Sequence, residues 1–246
     1  MSVSNFRNYI NVYEFECTLP GSKEVVKFKP ITTGQLKKLL IYEKEVSPII
    51  QEKALDELIS SSVISDNFDI KNLYLEDRFF LLIEIRKNTK GEIFEFNYKC
   101  PKCNTVTIIK MDLNTLNVTP MPDKIDSIVK LNNDITLELV HIKRGSQINN
   151  EKHVNKRNAT INQQIVDMQI LTYASSITKI TTPDGEENPS IIDKKYLLEN
   201  IPTPLFDKVK HWHESNTFGI DFTFKSQCIN CKDNIDMDIP LENFFF

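Results

Sequence analysis

The feature that most restricts how this chain can fold is a pair of short cysteine motifs set far apart. Cys100 and Cys103 stand in "FEFNYKCPKCNTVTIIKMDL", and Cys228 and Cys231 in "IDFTFKSQCINCKDNIDMDIPL". The two stretches agree beyond their cysteines. Phe94, Phe96 and Tyr98 alternate with polar residues ahead of the first pair, and Ile220, Phe222 and Phe224 do so ahead of the second. Val106 and Ile108 continue the alternation after the first pair, and Ile235, Met237 and Ile239 after the second. Period-two alternation on both sides of a turn predicts strand, turn, strand. Each copy therefore reads as a β-hairpin with two thiols at its tip.

Two such hairpins, facing each other, bring four thiolates into a tetrahedron. That is the arrangement of a closed structural zinc site, here Cys100, Cys103, Cys228 and Cys231. Four protein ligands leave no position open for water, so the metal would be structural. The residue after the second cysteine of such a turn takes a left-handed backbone. Asn104 tolerates that conformation, and Lys232 does so less readily. A thioredoxin-type redox pair wants its cysteines at the start of a helix, whereas strand-like sequence follows both pairs here. Buried, inert thiols are the bland alternative. Cys17, in "YEFECTLPGS", has no spaced companion and reads as a half-buried strand residue.

An isolated ribbon separates its cysteine pairs by roughly 15 to 20 residues. Here residues 104–227 lie between them. The expected architecture is α+β: β-hairpins and a split zinc ribbon with a helix-rich inserted segment. Residues 1–92 form an N-terminal hairpin and helices, 93–113 plus 219–243 the ribbon, and 114–218 the insertion. Within the first part, residues 9–29 read as a hairpin around "PGS". Helices follow from Thr32 or Thr33, through "SPIIQEKALDELISSSV", and through "LEDRFFLLIEIRKNTKG", which stops at Gly91. In the insertion, "IVKLNNDITLELVHI" predicts two strands around "NND". The polar, basic stretch 143–158 predicts a mobile loop. "ATINQQIVDMQILTYASSI" predicts the longest helix, apolar through Ile161, Ile165, Met168 and Thr172. A strand and turn follow, then a helix capped by Ser190. Another helix opens at Thr203 and Pro204 and places Leu205, Val209 and Trp212 on one core-facing side.

The 246 residues carry a net charge of -4, which argues against nucleic-acid binding over the whole surface. Lys143, Arg144, Lys152, Lys156 and Arg157 make the one local basic stretch, without aromatic residues for base stacking. No apolar run approaches the roughly 18 residues that span a bilayer, and the first residues lack a signal peptide's apolar core. Six glycines leave no Gly-rich phosphate loop, and no nucleophile-elbow or zincin motif is present. His211 and His213, two apart on a helix, read as solvated, and Glu186 and Glu187 as a solvated loop. These absences point to a non-enzymatic binding module, with a zinc-ribbon nucleic-acid-binding regulator as the rival class.

The order "YEFECTLPGSKEVVKFKPITTGQLKKLLI", "EDRFFLLIEIRKNTKGEIFEFNYKCPKC", "SSITKITTPDGEENPSIIDKKYLLENIPTPLFDKVKHW" and "IDFTFKSQCINCKDNIDMDIPLENFFF" resembles the T4-like phage baseplate hub assembly proteins over nearly the whole chain. The part before the first cysteine pair also resembles tail assembly chaperones. The resemblance implies an assembly factor or hub component that binds hub or tape-measure proteins. It would act in the host cytoplasm during assembly, or in the tail baseplate of the virion. The terminal "PLENFFF" offers two readings. Phe244, Phe245 and Phe246 either fold back onto the chain or anchor it in a pocket of a hub protein or a second copy.

Overall fold

The structure, a computed structural model, describes residues 13–42, 47–154, 159–239 and 244–245. Residues 9–12 of the first expected hairpin, Leu241 and Phe246 lie outside them. Strands β1 (Phe15–Thr18) and β2 (Val25–Phe28) pair antiparallel, with Phe15 opposite Phe28. The turn between them is clamped from elsewhere: the amides of Gly21 and Ser22 donate to the two carboxylate oxygens of Asp77 at 2.6 and 2.9 Å. A Cβ on Gly21 would lie 2.5 Å from the Phe218 ring, so only glycine fits this approach. Helices α1 (Thr33–Tyr42), α2 (Pro48–Ser62) and α3 (Leu75–Lys90) follow, and α3 ends at Gly91 with φ 93°.

Next come β3 (Ile93–Lys99) and β4 (Val106–Asp112), the first cysteine hairpin, with Phe94 opposite Met111 and Phe96 opposite Ile109. Short β5 (Val118–Thr119) leads into the insertion, where β6 (Ile128–Lys130) and β7 (Thr136–Leu139) flank the "NND" turn. Then come α4 (Arg144–Asn150), α5 (Ile161–Ser176), β8 (Ile177–Thr182), β9 (Gly185–Glu187), α6 (Ile191–Asn200) and α7 (Thr203–Ser215). β6, β7, β8 and β9 form one antiparallel sheet in that order. The chain returns through β10 (Gly219–Ile220), which pairs with β5, into the second cysteine hairpin, β11 (Thr223–Gln227) and β12 (Asn234–Asp238).

Two apolar clusters result. One gathers Leu19, Phe28, Ile59, Leu81, Ile85, Phe94 and Ile239 from both ends of the chain. The other packs α5, α6 and α7 on the four-stranded sheet through Leu131, Leu137, Ala174, Leu198, Val209 and Trp212. Trp212 is core, as its spacing predicts, and its indole N–H donates to the Asp126 carbonyl at 2.6 Å. Among the described residues no helix is long and apolar enough to cross a membrane.

Four local expectations need correction. The stretch expected to be a mobile loop from 143 to 158 contains α4, and its inward residues Arg144 and Asn150 are buried. Its pattern is invisible to an apolar period because the residues that turn inward are polar and find polar partners. His213 is half-buried, edge-on to Tyr173 and Trp212, with Nε2 3.0 Å from the Ser176 hydroxyl. Glu186 and Glu187 belong to the exposed edge strand β9, where Glu186 meets Lys179 at 3.1 Å. On α5 the residues sunk into the protein are Leu171, Ala174 and Ser176. The expected face through Ile161, Ile165, Met168 and Thr172 is only partly covered.

Candidate metal centre

The two cysteine hairpins are built alike to the level of single hydrogen bonds. Cys100 N–H donates to the Thr105 carbonyl at 3.0 Å, and Asn104 N–H to the Cys100 carbonyl at 2.9 Å. In the second copy Cys228 N–H donates to Asp233 at 2.8 Å, and Lys232 N–H to Cys228 at 2.9 Å. Such turns require a left-handed residue after the second cysteine. Asn104 and Lys232 both take it, at φ 57° and 60°. Lysine pays a steric cost of roughly 1 kcal/mol there, which the surrounding ladder overrides.

The hairpins are pressed together by the apolar faces of their strands. Phe96 meets Phe224 edge to face at 5.9 Å, and Ile109 and Met237 join the same cluster. This packing carries the tips into register. Cys100 Sγ lies 3.7 Å from Cys231 Sγ, and Cys103 Sγ lies 3.7 Å from Cys228 Sγ. All four sulfurs fall within 4.8 Å of one another, with Cys100 and Cys228 buried and Cys103 and Cys231 half-buried. A zinc tetrahedron with bonds of about 2.3 Å has sulfurs about 3.8 Å apart. Two of the sulfur pairs already stand at that spacing, and these four side chains would be the ligands of a metal ion. The Thr105 hydroxyl and amide hold the Cys103 thiol down at about 6, whereas at Cys231 the hydrogen bond at the Asp233 amide is outweighed by burial and the other three thiols, which push the thiol up to about 12. Cys17 lies apart from the cluster in β1, with its thiol pushed up to about 12 by burial first and by Glu84 next.

Phe244 and Phe245 are 3 % and 2 % exposed, packed in the chain's own first cluster. Phe244 stands 5.0 Å from the Phe94 ring, and the Arg86 guanidinium lies over both rings at 5.5 and 5.6 Å. Arg86 also donates to the carbonyls of Phe244, Gly91 and Ile93. Of the two readings of the tail, these two side chains follow the fold-back one and offer a partner no free surface.

Sequence reasoning missed a buried ionic cluster that joins the two halves of the molecule. Asp56 of α2 accepts from Arg78 of α3 at 2.7 Å and from Arg144 of α4 at 2.9 Å. Glu52 contacts Arg78 at 2.8 Å, and Glu151 lies 3.5 Å from Arg144. Arg144, counted in the basic stretch, is therefore held inside the protein. Lys143 lies over the Tyr74 ring at 5.4 Å, and Lys156 and Arg157 lie outside the described residues.

Fold and site define an α+β protein built on a split ribbon, with four cysteines converging where a metal ion can bind. The chain belongs to the family described as T4 bacteriophage base plate protein, which matches residues 11–245. Membership carries a structural or assembly role at the phage tail baseplate, in contact with other baseplate components. No curated protein and no solved structure matches the chain.

Proposed function

We propose that this protein is a non-enzymatic assembly factor or component of the baseplate hub, whose Cys100, Cys103, Cys228 and Cys231 hold one Zn2+. The single observation that carries this reading is the convergence of four sulfurs within 4.8 Å, in a baseplate-family chain. The ion adds no chemistry of its own in a closed four-thiolate site; it ties the two hairpins together. Its binding free energy is part of the folding free energy, on the order of 10 kcal/mol in zinc-finger peptides. The pinned ribbon gives the molecule a fixed shape to present to hub or tape-measure proteins. It does this in the host cytoplasm while the tail is built.

The test has two arms. Metal analysis of purified protein should return one zinc per chain, and Cys100→Ser should lose the metal and aggregate while Cys17→Ser keeps it. Protein with no zinc, or with iron instead, defeats the metal assignment. Co-expression with the hub and tape-measure proteins of the same phage should yield a stable complex with one of them; free migration from all of them defeats the hub assignment.

A further inference from the structure

The tips of the two cysteine hairpins touch in a reciprocal way. In each, the residue before the second cysteine reaches across to the other hairpin, to the residue two places beyond its second cysteine. Lys102 Nζ lies 3.1 Å from an Asp233 carboxylate oxygen, and Asn230 Nδ2 donates to the Thr105 hydroxyl oxygen at 3.1 Å. The two contacts end differently. An ionised Asp233 only accepts hydrogen bonds and has no hydrogen to pass on. Thr105 has one, and its Oγ1 lies 3.3 Å from Cys103 Sγ. Asn230, Thr105 and Cys103 thus form a line of contacts that starts on the second hairpin and ends on a sulfur of the first.

The chemistry of the groups sets the direction of each hydrogen bond. The side-chain nitrogen of Asn230 donates only, so it occupies a lone pair of the Thr105 hydroxyl and leaves the hydroxyl hydrogen free. A thiol at Cys103 could place its own hydrogen on that oxygen. A metal-bound thiolate has none, so the 3.3 Å contact can then be made only by the hydroxyl donating to the sulfur. A hydrogen bond of this kind draws charge from the ligating atom and fixes its direction. Removing such an outer partner typically costs roughly 10- to 100-fold in metal affinity. The equivalent position in the second hairpin, Asp233, cannot supply it.

We propose that Thr105 and Asn230 are positioning residues of the metal centre: the Thr105 hydroxyl, held by Asn230 from the opposite hairpin, donates to the Cys103 thiolate and helps retain the ion. This rests on the zinc reading above and deepens it. The test uses the full chain, with Zn2+ in competition with a chromophoric chelator and with Co2+ as a spectroscopic substitute. Thr105→Val should weaken Zn2+ binding about tenfold or more, and Thr105→Ser should keep the parent's affinity. In the Co2+ form Thr105→Val should move the sulfur-to-cobalt charge-transfer band to longer wavelength, because a thiolate that has lost a hydrogen bond gives up its electrons more easily. Asn230→Ala, at an exposed position on the tip, should shift both readouts the same way. Thr107→Val removes a hydroxyl two residues along the same hairpin and should change neither. A Thr105→Val chain with the parent's affinity and band overturns the proposal. So does a loss of affinity that Thr105→Ser does not restore and that leaves the band in place, since that is a packing effect. An Asn230→Ala chain that matches the parent in both readouts refutes the relay between the hairpins, and this variant decides if Thr105→Val folds poorly. A parent chain that binds no zinc refutes the metal assignment itself.

Discussion

Replacing Asp56 by asparagine isolates the energetic weight of the ionic cluster. Its carboxylate serves two guanidinium groups, each on a side chain 1 % exposed, through contacts of 2.7 Å to Arg78 Nε, 2.9 Å to Arg144 Nε and 2.8 Å to Arg144 Nη2. Asparagine keeps one oxygen, but removes the charge and turns an N–H group toward the cations. Leaving a buried ion without its partner costs about 3 to 5 kcal/mol. Glu52 remains 2.8 Å from Arg78, whereas Arg144 retains Glu151 only at 3.5 Å. The lower end of that range, about 3 kcal/mol, therefore applies. In a protein of this size each kcal/mol lowers the melting temperature by about 2 to 4 °C, so Asp56→Asn should lower it by roughly 6 to 12 °C. Circular dichroism melts measure this, and hydrogen exchange should show α4 losing protection first. The control is Lys110→Ala, which breaks the exposed 2.7 Å pair with Glu95 and should cost at most about 1 kcal/mol. If Asp56→Asn melts no lower than Lys110→Ala, the cluster does not join the two halves and the reasoning fails.

Burial raises Glu76 to about 7, and its Oε2 has no hydrogen-bond partner among the described residues. Its folded pKa lies above the unfolded one, so the penalty grows as pH rises from about 4.5 through 7; Glu76→Gln should raise the melting temperature at pH 8 and leave it unchanged at pH 4. His213 is pushed down to about 4 by burial first and by His141 next. Its folded pKa lies below the unfolded one, so its contribution is complete above about 6.5 and is lost as pH falls toward 4. Urea midpoints of His213→Gln should accordingly depend less on pH across that window than those of the parent. Phe244→Ala empties a site between Arg86 and Phe94 and should cost about 3 kcal/mol or more; a denaturant midpoint equal to the parent's would show that the tail is not part of the core.

The ribbon was legible because its signals are local. Alternation of Phe94, Phe96 and Phe224 with polar neighbours fixes the strands, and the cysteine spacing fixes the tips. Helices with an apolar stripe and an end signal were equally plain, as in α3 with Gly91 beyond it. α4 was not, because Arg144 and Asn150 turn polar groups inward, and their partners Asp56 and Leu171 lie far off in sequence. The same holds for His213, whose burial depends on Tyr173 and Trp212 closing over it. α5 misled differently. It is apolar on more than one side, so periodicity alone could not say which side meets the core. The arrangement of Phe244 under Arg86 is also a product of tertiary packing, which no spacing in "PLENFFF" announces.

The split of the four-sulfur cluster also sets an order in time. At roughly 5 to 20 residues per second, the second cysteine hairpin leaves the ribosome on the order of 10 s after the first. During that interval Cys100 and Cys103 have no partners, while the sheet β6 to β9 and its covering helices emerge, complete before the second hairpin does. These elements pair almost entirely among themselves, so they can fold before the ribbon closes. Their folding draws the ends of the intervening segment together, since β5 and β10 lie side by side at its mouth. Closure of the cluster is then a short-range event between two preformed hairpins, and the part of the chain that is last to be clasped is among the first to be folded.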